Sequence, residues 1–235
     1  MEKTKSVHAN NDFKSILLEQ GYFIFKNLLN QDEADLLGRE IKSCLGNDSV
    51  SGVRNLEKKV KVVDHLTRSS KIFDLAETVL NGKSHLVRAI YFNKTSEANW
   101  GVVWHQDKTI AVDRQTDIAG WGPWTVKDGV HHVQPDISVL ERMVTIRIHL
   151  DPADESNGCL KVIPGSHRSG ILTQNQVDEM KVKHAAVSCI VEKGDAVLMR
   201  PHVLHSSNKA DKPAQRRVVH LEYSDYILPD GLSWT

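Results

Sequence analysis

Three of the twelve histidines of this chain stand two residues before a carboxylate: His105-Gln106-Asp107, His149-Leu150-Asp151 and His220-Leu221-Glu222. Such pairs matter because residues i and i+2 of an extended strand point the same way, so an imidazole and a carboxylate can reach one point in space. Two His and one carboxylate on one octahedral face is the donor set of non-haem Fe(II) oxygenases, with positions left open for cosubstrate and O2. Spacing alone selects little, since about one H-x-D is expected by chance in a chain this rich in His.

Context separates the three pairs. His105 and Asp107 follow the apolar run Gly101–Trp104 and precede a loop, which suits reachable ligands. Asp151 is followed directly by Pro152, so it is expected to turn or cap the next loop while His149 packs inside. His220 shares a strand face with Arg216 and Val218, and Glu222 follows on it. That pair lies too near the C-terminus to leave room for a later His. The third ligand must come from another strand. His202 and His205, both behind the Gly194-Asp195 turn, remain open candidates.

The elements that must position these residues change character along the chain. Phe13, Ile16, Leu17 and Leu18 predict an amphipathic helix ended by Gly21. Tyr22–Leu29 reads as a strand, and Asn30 with Glu33 has the capping-box spacing that opens a helix through Leu45. From Gly46 to about Arg68 the chain reads as polar and irregular, with Lys58, Lys59 and Lys61 on a solvated face. Lys71–Leu80 reads as a helix closed by Asn81-Gly82. After residue 84 come short β-rich segments: His85–Phe92, Gly101–Trp104, Met143–Leu150, Cys159–Ile163, Val187–Val191, Ala196–Met199 and Arg217–Tyr223. Turn residues such as Asn157-Gly158 and Lys193-Gly194-Asp195 separate them. There is no βαβ alternation and no fixed-period repeat. The expectation is a mainly β, jelly-roll protein forming one domain over 1–235, with a helical part at 1–84 and the core at 85–225. The stretch 108–142 lacks periodicity and is expected to form a lid over a pocket.

Lys plus Arg and Asp plus Glu both number 30. With no global field, binding of nucleic acid or an anionic membrane through bulk charge is disfavoured. The polar N-terminus does not read as a signal peptide, and no apolar run is long enough to span a bilayer. Cys44, Cys159 and Cys189 form no CxxC pair and read as reduced thiols of a cytoplasmic protein. The expected partner is a small molecule. Oligomeric state is not legible.

Further motifs surround the first H-x-D pair. Trp104–Asp107 reads WHQD, residues 157–167 read NGCLKVIPGSH, and nine residues after Gly194-Asp195 comes HSSN at 205–208, then Arg216-Arg217. In this order, and from Gly21-Tyr22 to Arg217, the chain resembles the phytanoyl-CoA dioxygenase family. The resemblance implies a double-stranded β-helix that uses Fe(II), 2-oxoglutarate and O2. It implies His105, Asp107 and His205 as ligands, with His202 a neighbour of the site. It further implies Ser207 as a cosubstrate contact and Arg216, eleven residues past His205, as the clamp on the far carboxylate. A guanidinium fork suits that role. Arg217 competes for it, but strand alternation lets only one of the two face the site.

Arg147 stands where several family members carry a Trp near the cosubstrate, which adds a cation facing an anionic group or the surface. Asn93, with Arg88 on the same strand, is taken as a further cofactor contact. Trp121, Trp124, His131 and Arg147 are taken as substrate contacts. An intact Asp107 implies hydroxylation, with succinate and CO2 formed, rather than halogenation. Two alternatives stand beside this reading. A zinc-dependent hydrolase on a similar barrel would have no use for Arg216, and a non-catalytic jelly-roll binding protein would be expected to have lost a ligand.

Overall fold

A computed structural model describes residues 5–46, 51–212, 215–229 and 231–235. Its first part alternates helices and short strands: α1 (Lys5–Gln20), β1 (Tyr22–Phe25), α2 (Gln31–Leu45), β2 (Gly52–Arg54), α3 (Leu56–Lys59), α4 (Lys61–Thr67) and α5 (Ser70–Leu80). Strands then dominate: β3 (His85–Lys94), β4 (Val102–His105), β5 (Ile110–Val112), β6 (Trp124–Lys127) and β7 (Val130–Val133). A short helix α6 (Ile137–Glu141) leads into β8 (Met143–His149) and β9 (Leu160–Val162). After α7 (Gln174–Lys183) come β10 (Val187–Ser188), β11 (Ala196–Met199), β12 (His205–Ser207) and β13 (Arg216–Ser224).

Local chemistry accounts for several boundaries. Gly21 ends α1 at a φ of 78°, where a side chain would be strained. The capping box at α2 is formed in both directions: Glu33 N–H donates to Asn30 Oδ1 at 2.9 Å and Asn30 N–H donates to Glu33 Oε2 at 2.8 Å. The stretch expected to be irregular before Arg68 instead carries β2, α3 and α4, while residues 47–50 lie outside the described part. Leu56, Val60 and Val63 are buried there, so tertiary packing folds a segment whose charged residues masked its apolar spacing.

Most strands form two sheets. The larger has the order β1-β11-β8-β13-β3-β2 and the smaller β10-β9-β12-β4. Pairing within both is antiparallel, the jelly-roll arrangement expected from many short strands. Period-two alternation gives the larger sheet two buried faces. Ala89, Tyr91, Val144, Ile146, Ile148, Val219, Leu221 and Tyr223 pack beneath α2, α4 and α5 in one continuous core. The alternate residues, among them Arg88, Ile90, Phe92, Arg147, Arg216 and His220, line an interior cavity shared with the smaller sheet. Among the described residues no helix is long and apolar enough to cross a membrane.

The stretch 108–142, expected to be an aperiodic lid, is regular structure that lends Thr109 and Lys127 to the cavity lining. It folds as a third sheet, β5-β7-β6, with a core of its own in which Ile110, Val112, Val133 and Leu140 are buried. Trp121, Trp124 and the chain end near Trp234 pack against that core. The short strands and their Gly-containing turns hid this sheet from a reading of periodicity.

Candidate metal and dicarboxylate site

β4 and β12 are neighbours in the smaller sheet, and His105 is the register partner of His205. The two rings lie 4.2 Å apart between centroids. Asp107, two residues past the end of β4, is fixed by its backbone N–H donating to the Pro201 carbonyl at 2.9 Å. His105 Nε2 then sits 3.6 Å from Asp107 Oδ1, and His205 Nε2 sits 3.6 Å from Asp107 Oδ2. Three donor atoms thus converge from two neighbouring strands and the loop after one of them.

The tautomers suit ligation. His105 Nδ1 lies 2.9 Å from the Val103 carbonyl and His205 Nδ1 lies 2.8 Å from the Val203 carbonyl. Only a protonated Nδ1 can donate there, so each Nε2 keeps its lone pair towards Asp107. Burial pushes His205 down to about 4, which keeps it neutral. Burial alone would raise Asp107, but the neighbouring imidazoles of His105, His205 and His220 hold it well below the usual carboxylate range. Burial likewise opposes charge on His105, and the adjacent Asp107 carboxylate outweighs that and raises it.

The cavity beside this triad has a volume of about 240 Å3. Arg216, on β13, lines it and is buried, and its Nε has no partner among the described residues. Arg217 points to the opposite face, where its Nε and Nη2 donate to Asp151 Oδ2 and Oδ1, each at 2.8 Å. Asp151 is therefore engaged outside the barrel, and His149 is buried inside with neither ring nitrogen partnered among the described residues. Ser207 lines the cavity near Arg216 and accepts from Lys94 Nζ at 3.1 Å. His202 is buried behind the site, 5.8 Å from His167 between ring centroids, and does not line the cavity.

Asp107, His220 and Glu222 form a second group with metal-ligand spacing. Its imidazole is already spent: His220 Nδ1 accepts from Arg147 Nη1 at 2.7 Å and Nε2 donates to Glu222 Oε1 at 2.9 Å. Glu222 in turn faces Arg88 Nε at 2.9 Å. This is a buried ion-pair chain along the cavity wall rather than a free donor set.

Several expected contacts lie elsewhere. Asn93 occupies the helix-covered face of β3, because cavity residues on that strand are the alternate ones, Arg88, Ile90, Phe92 and Lys94. Trp121, Trp124 and His131 belong to the third sheet and its surroundings and do not line the cavity. Arg147, by contrast, is buried in the cavity wall, its guanidinium 5.5 Å from the Phe92 ring centroid. The sequence reading passed over Lys94 and Trp100. Lys94 is the register partner of Arg216, and its Nζ lies 5.5 Å from the Trp100 ring. Parity along β3 with Arg88 was the signal that singles Lys94 out.

The turn motifs also acquire reasons. Gly158 has a φ of 75° and lies so close to the Asn208 carbonyl that a Cβ could not fit, which lets the Asn157-Gly158 turn pack on the segment after His205. Asp195, in the turn before β11, accepts from Asn27 N–H at 2.9 Å and Lys26 Nζ at 2.7 Å, tying that turn to the start of the fold.

Comparison with known proteins bears on the same features. Dioxygenase olcK of Penicillium canescens is 25% identical over 224 residues, covering 88% of this chain and 68% of that protein. The peroxisomal phytanoyl-CoA dioxygenase of Bos taurus is 25% identical over 101 residues, and that match spans 36% of this chain and only 30% of the bovine protein. Among solved structures, the α-ketoglutarate-dependent epimerase SnoN from nogalamycin biosynthesis superposes with a TM-score of 0.71 at 16% identity, covering 93% of this chain and 84% of that one. EctD from S. alaskensis, crystallised with 2-oxoglutarate and 5-hydroxyectoine, gives 0.72 at 19% identity, covering 91% and 75%. At these identities the likeness to solved structures shows the fold. Residues 17–218 match the model of the phytanoyl-CoA dioxygenase family, and with most of the chain covered, this protein belongs to that family of 2-oxoglutarate-dependent dioxygenases.

Proposed function

We propose that the chain acts as a single-domain Fe(II)- and 2-oxoglutarate-dependent dioxygenase that hydroxylates a small organic molecule in the cytoplasm. His105, Asp107 and His205 would hold the metal, and Arg216 would take the far carboxylate of 2-oxoglutarate. The observation that carries this reading is the pairing of two features in one cavity: a two-His, one-carboxylate donor set and a buried guanidinium with no acidic partner among the described residues. The donor set suits Fe(II), and an uncompensated buried Arg suits a dicarboxylate.

Bound at the triad, Fe(II) would supply the O2 activation that couples decarboxylation of 2-oxoglutarate to substrate oxidation. Everything else falls to the protein. The two carbonyls behind His105 and His205 orient the imidazoles, and ionised Asp107 completes the set without needing to lose a proton. Arg216, Ser207 and Lys94 form a polar floor for a carboxylate, while Phe92, Val102 and Leu160 exclude water beside it. A zinc hydrolase would leave Arg216 without a task, and a non-catalytic binding protein would have no reason to keep both imidazoles in the ligand tautomer.

The reading is tested by measuring succinate formed from 2-oxoglutarate under O2 with Fe(II) and a panel of small molecules. Turnover is expected in the native protein, with a loss of more than about 100-fold in His205→Ala and Asp107→Ala. Variants that still formed succinate at the native rate would overturn the ligand assignment.

A further inference from the structure

The cavity is more cationic than a metal and a dicarboxylate require. Arg54, Arg88, Lys94, Lys127, Arg147 and Arg216 line it against two acids, Asp107 and Glu222. Four positive charges are left over among the lining residues, or three once Asp128 beside Arg54 is counted, and a divalent ion and a dicarboxylate cancel one another. Glu222 is already engaged by Arg88 and His220, so it offsets nothing further.

The excess has a location. β13 runs along the cavity, and its inward residues Arg216, His220 and Glu222 mark successive levels spanning about 20 Å at ~3.4 Å per residue. At the first level Lys94 faces Arg216, the end assigned above to the cosubstrate. At the last level Arg88 faces Glu222 and donates Nη2 to the Thr109 carbonyl at 2.9 Å. Arg54 from β2 is the register partner of Ile90, one level before Arg88. It reaches to 3.5 Å from Asp128, the residue after Lys127 of β6, so Arg54 and Lys127 meet at one edge of the cavity.

Two of these cations have little else to do. Among the described residues Lys127 has no ion-pair partner and Arg54 meets only Asp128, 3.5 Å away on the surface. Between the two ends lies Arg147, buried, bonded to a neutral imidazole and with its Nε unpartnered among the described residues. A buried guanidinium without a carboxylate is costly, and a bound anion nearby relieves that cost. Ile90 and Phe92 alternate along β3 between the ends and offer an apolar wall for a carbon skeleton.

We propose that the primary substrate is a small organic acid, whose carboxylate, sulfate or phosphate group docks on Arg54 and Lys127 at the cavity mouth while Arg147 supplies positive potential deeper in. The proposal rests on the dioxygenase reading for the position of the metal and cosubstrate, and it names the substrate class of that same site. Arg54 and Lys127 are then specificity-determining residues, contributed by two different sheets.

Inorganic sulfate is the probe, with dimethyl sulfone as its uncharged counterpart. Each is titrated calorimetrically into the protein held without O2 in saturating Fe(II) and 2-oxoglutarate, whose complex is followed by its visible absorption. Sulfate is expected to bind at least about tenfold more tightly than the sulfone, and the Arg54→Gln/Lys127→Gln double variant to lose about tenfold in sulfate affinity. The absorption should persist throughout. Because both substituted residues are partly exposed, the double variant avoids the risk of misfolding carried by Arg147→Met. Equal binding of sulfate and sulfone, unchanged sulfate affinity in the double variant, or loss of the absorption as sulfate displaces 2-oxoglutarate from Arg216 would each overturn the proposal. Absence of the absorption from the outset would instead count against the dioxygenase reading, and the sulfate comparison in the metal-free protein would still decide the anion subsite.

Discussion

Arg217 and Asp151 hold each other in a two-pronged ion pair on the outer face of the larger sheet, with both N–O distances 2.8 Å and the Arg217 backbone N–H donating to the same carboxylate at 2.9 Å. Both side chains are mostly buried, at 15% and 14% exposure. One contact thus accounts for two residues that had competing readings. It takes Arg217 away from the cavity that Arg216 faces, and it gives Asp151 a structural partner instead of a metal.

The two adjacent arginines should therefore separate by phenotype. Arg216→Lys is expected to weaken 2-oxoglutarate binding by about tenfold or more, since a point charge replaces a fork. Arg217→Gln should leave that binding within about twofold but lower stability by about 2 kcal/mol, because Asp151 is left mostly buried and unpaired. Calorimetric titration and chemical denaturation of both variants check this, and the opposite assignment of effects would reverse the roles.

Lys94 should make cosubstrate binding pH-dependent. Burial and the neighbouring Arg216 and Arg147 lower it to about 8. Below that pH the ammonium is charged and assists a carboxylate; above it the charge is lost, so the 2-oxoglutarate dissociation constant should rise as pH passes 8. In Lys94→Met this rise should vanish and the affinity at pH 7 should be weaker. Stability carries the reverse sign, because between about 8 and 10.5 the unfolded chain binds the extra proton and the Lys94 contribution to stability improves with pH. Identical pH profiles for the two proteins would remove Lys94 from the site.

His149 is the clearest case of a polar side chain whose burial has no evident return. It is fully buried, neither nitrogen has a partner among the described residues, and burial followed by the fields of Arg147 and Arg216 holds it neutral. Replacing it by Leu removes unsatisfied polar groups of similar volume, so His149→Leu should raise stability by about 1 kcal/mol. A loss of that size would mean that His149 has a partner the protein contacts do not supply.

What the sequence revealed and concealed follows from strand geometry. His105 and Asp107 were legible because an i, i+2 pair needs only local extension and the WHQD context set it apart, while alternation allowed one of Arg216 and Arg217 to face the site and the family resemblance named Arg216. Asn93 was misassigned for the same physical reason: it lies five residues from Arg88, and an unbroken strand cannot present both to one cavity. Parity with Arg88 would have named Lys94 instead. The third sheet stayed hidden because β5, β6 and β7 span three or four residues each, too few to display a period. Its tryptophans could not be told from pocket residues, since core and pocket both favour large aromatics. The convergence of Arg54 with Lys127 depends on how β2 and β6 meet across sheets, which no local pattern records.

Anaerobic titration of the protein with Fe(II) and 2-oxoglutarate, read by visible absorption, tests whether one cavity holds Fe(II) on His105, Asp107 and His205 and 2-oxoglutarate on Arg216. The predicted result is a charge-transfer band that saturates at one Fe(II) per chain, is absent in His205→Ala, and needs more 2-oxoglutarate to form in Arg216→Lys. No band in the native protein, or a band of full intensity in His205→Ala, would contradict it.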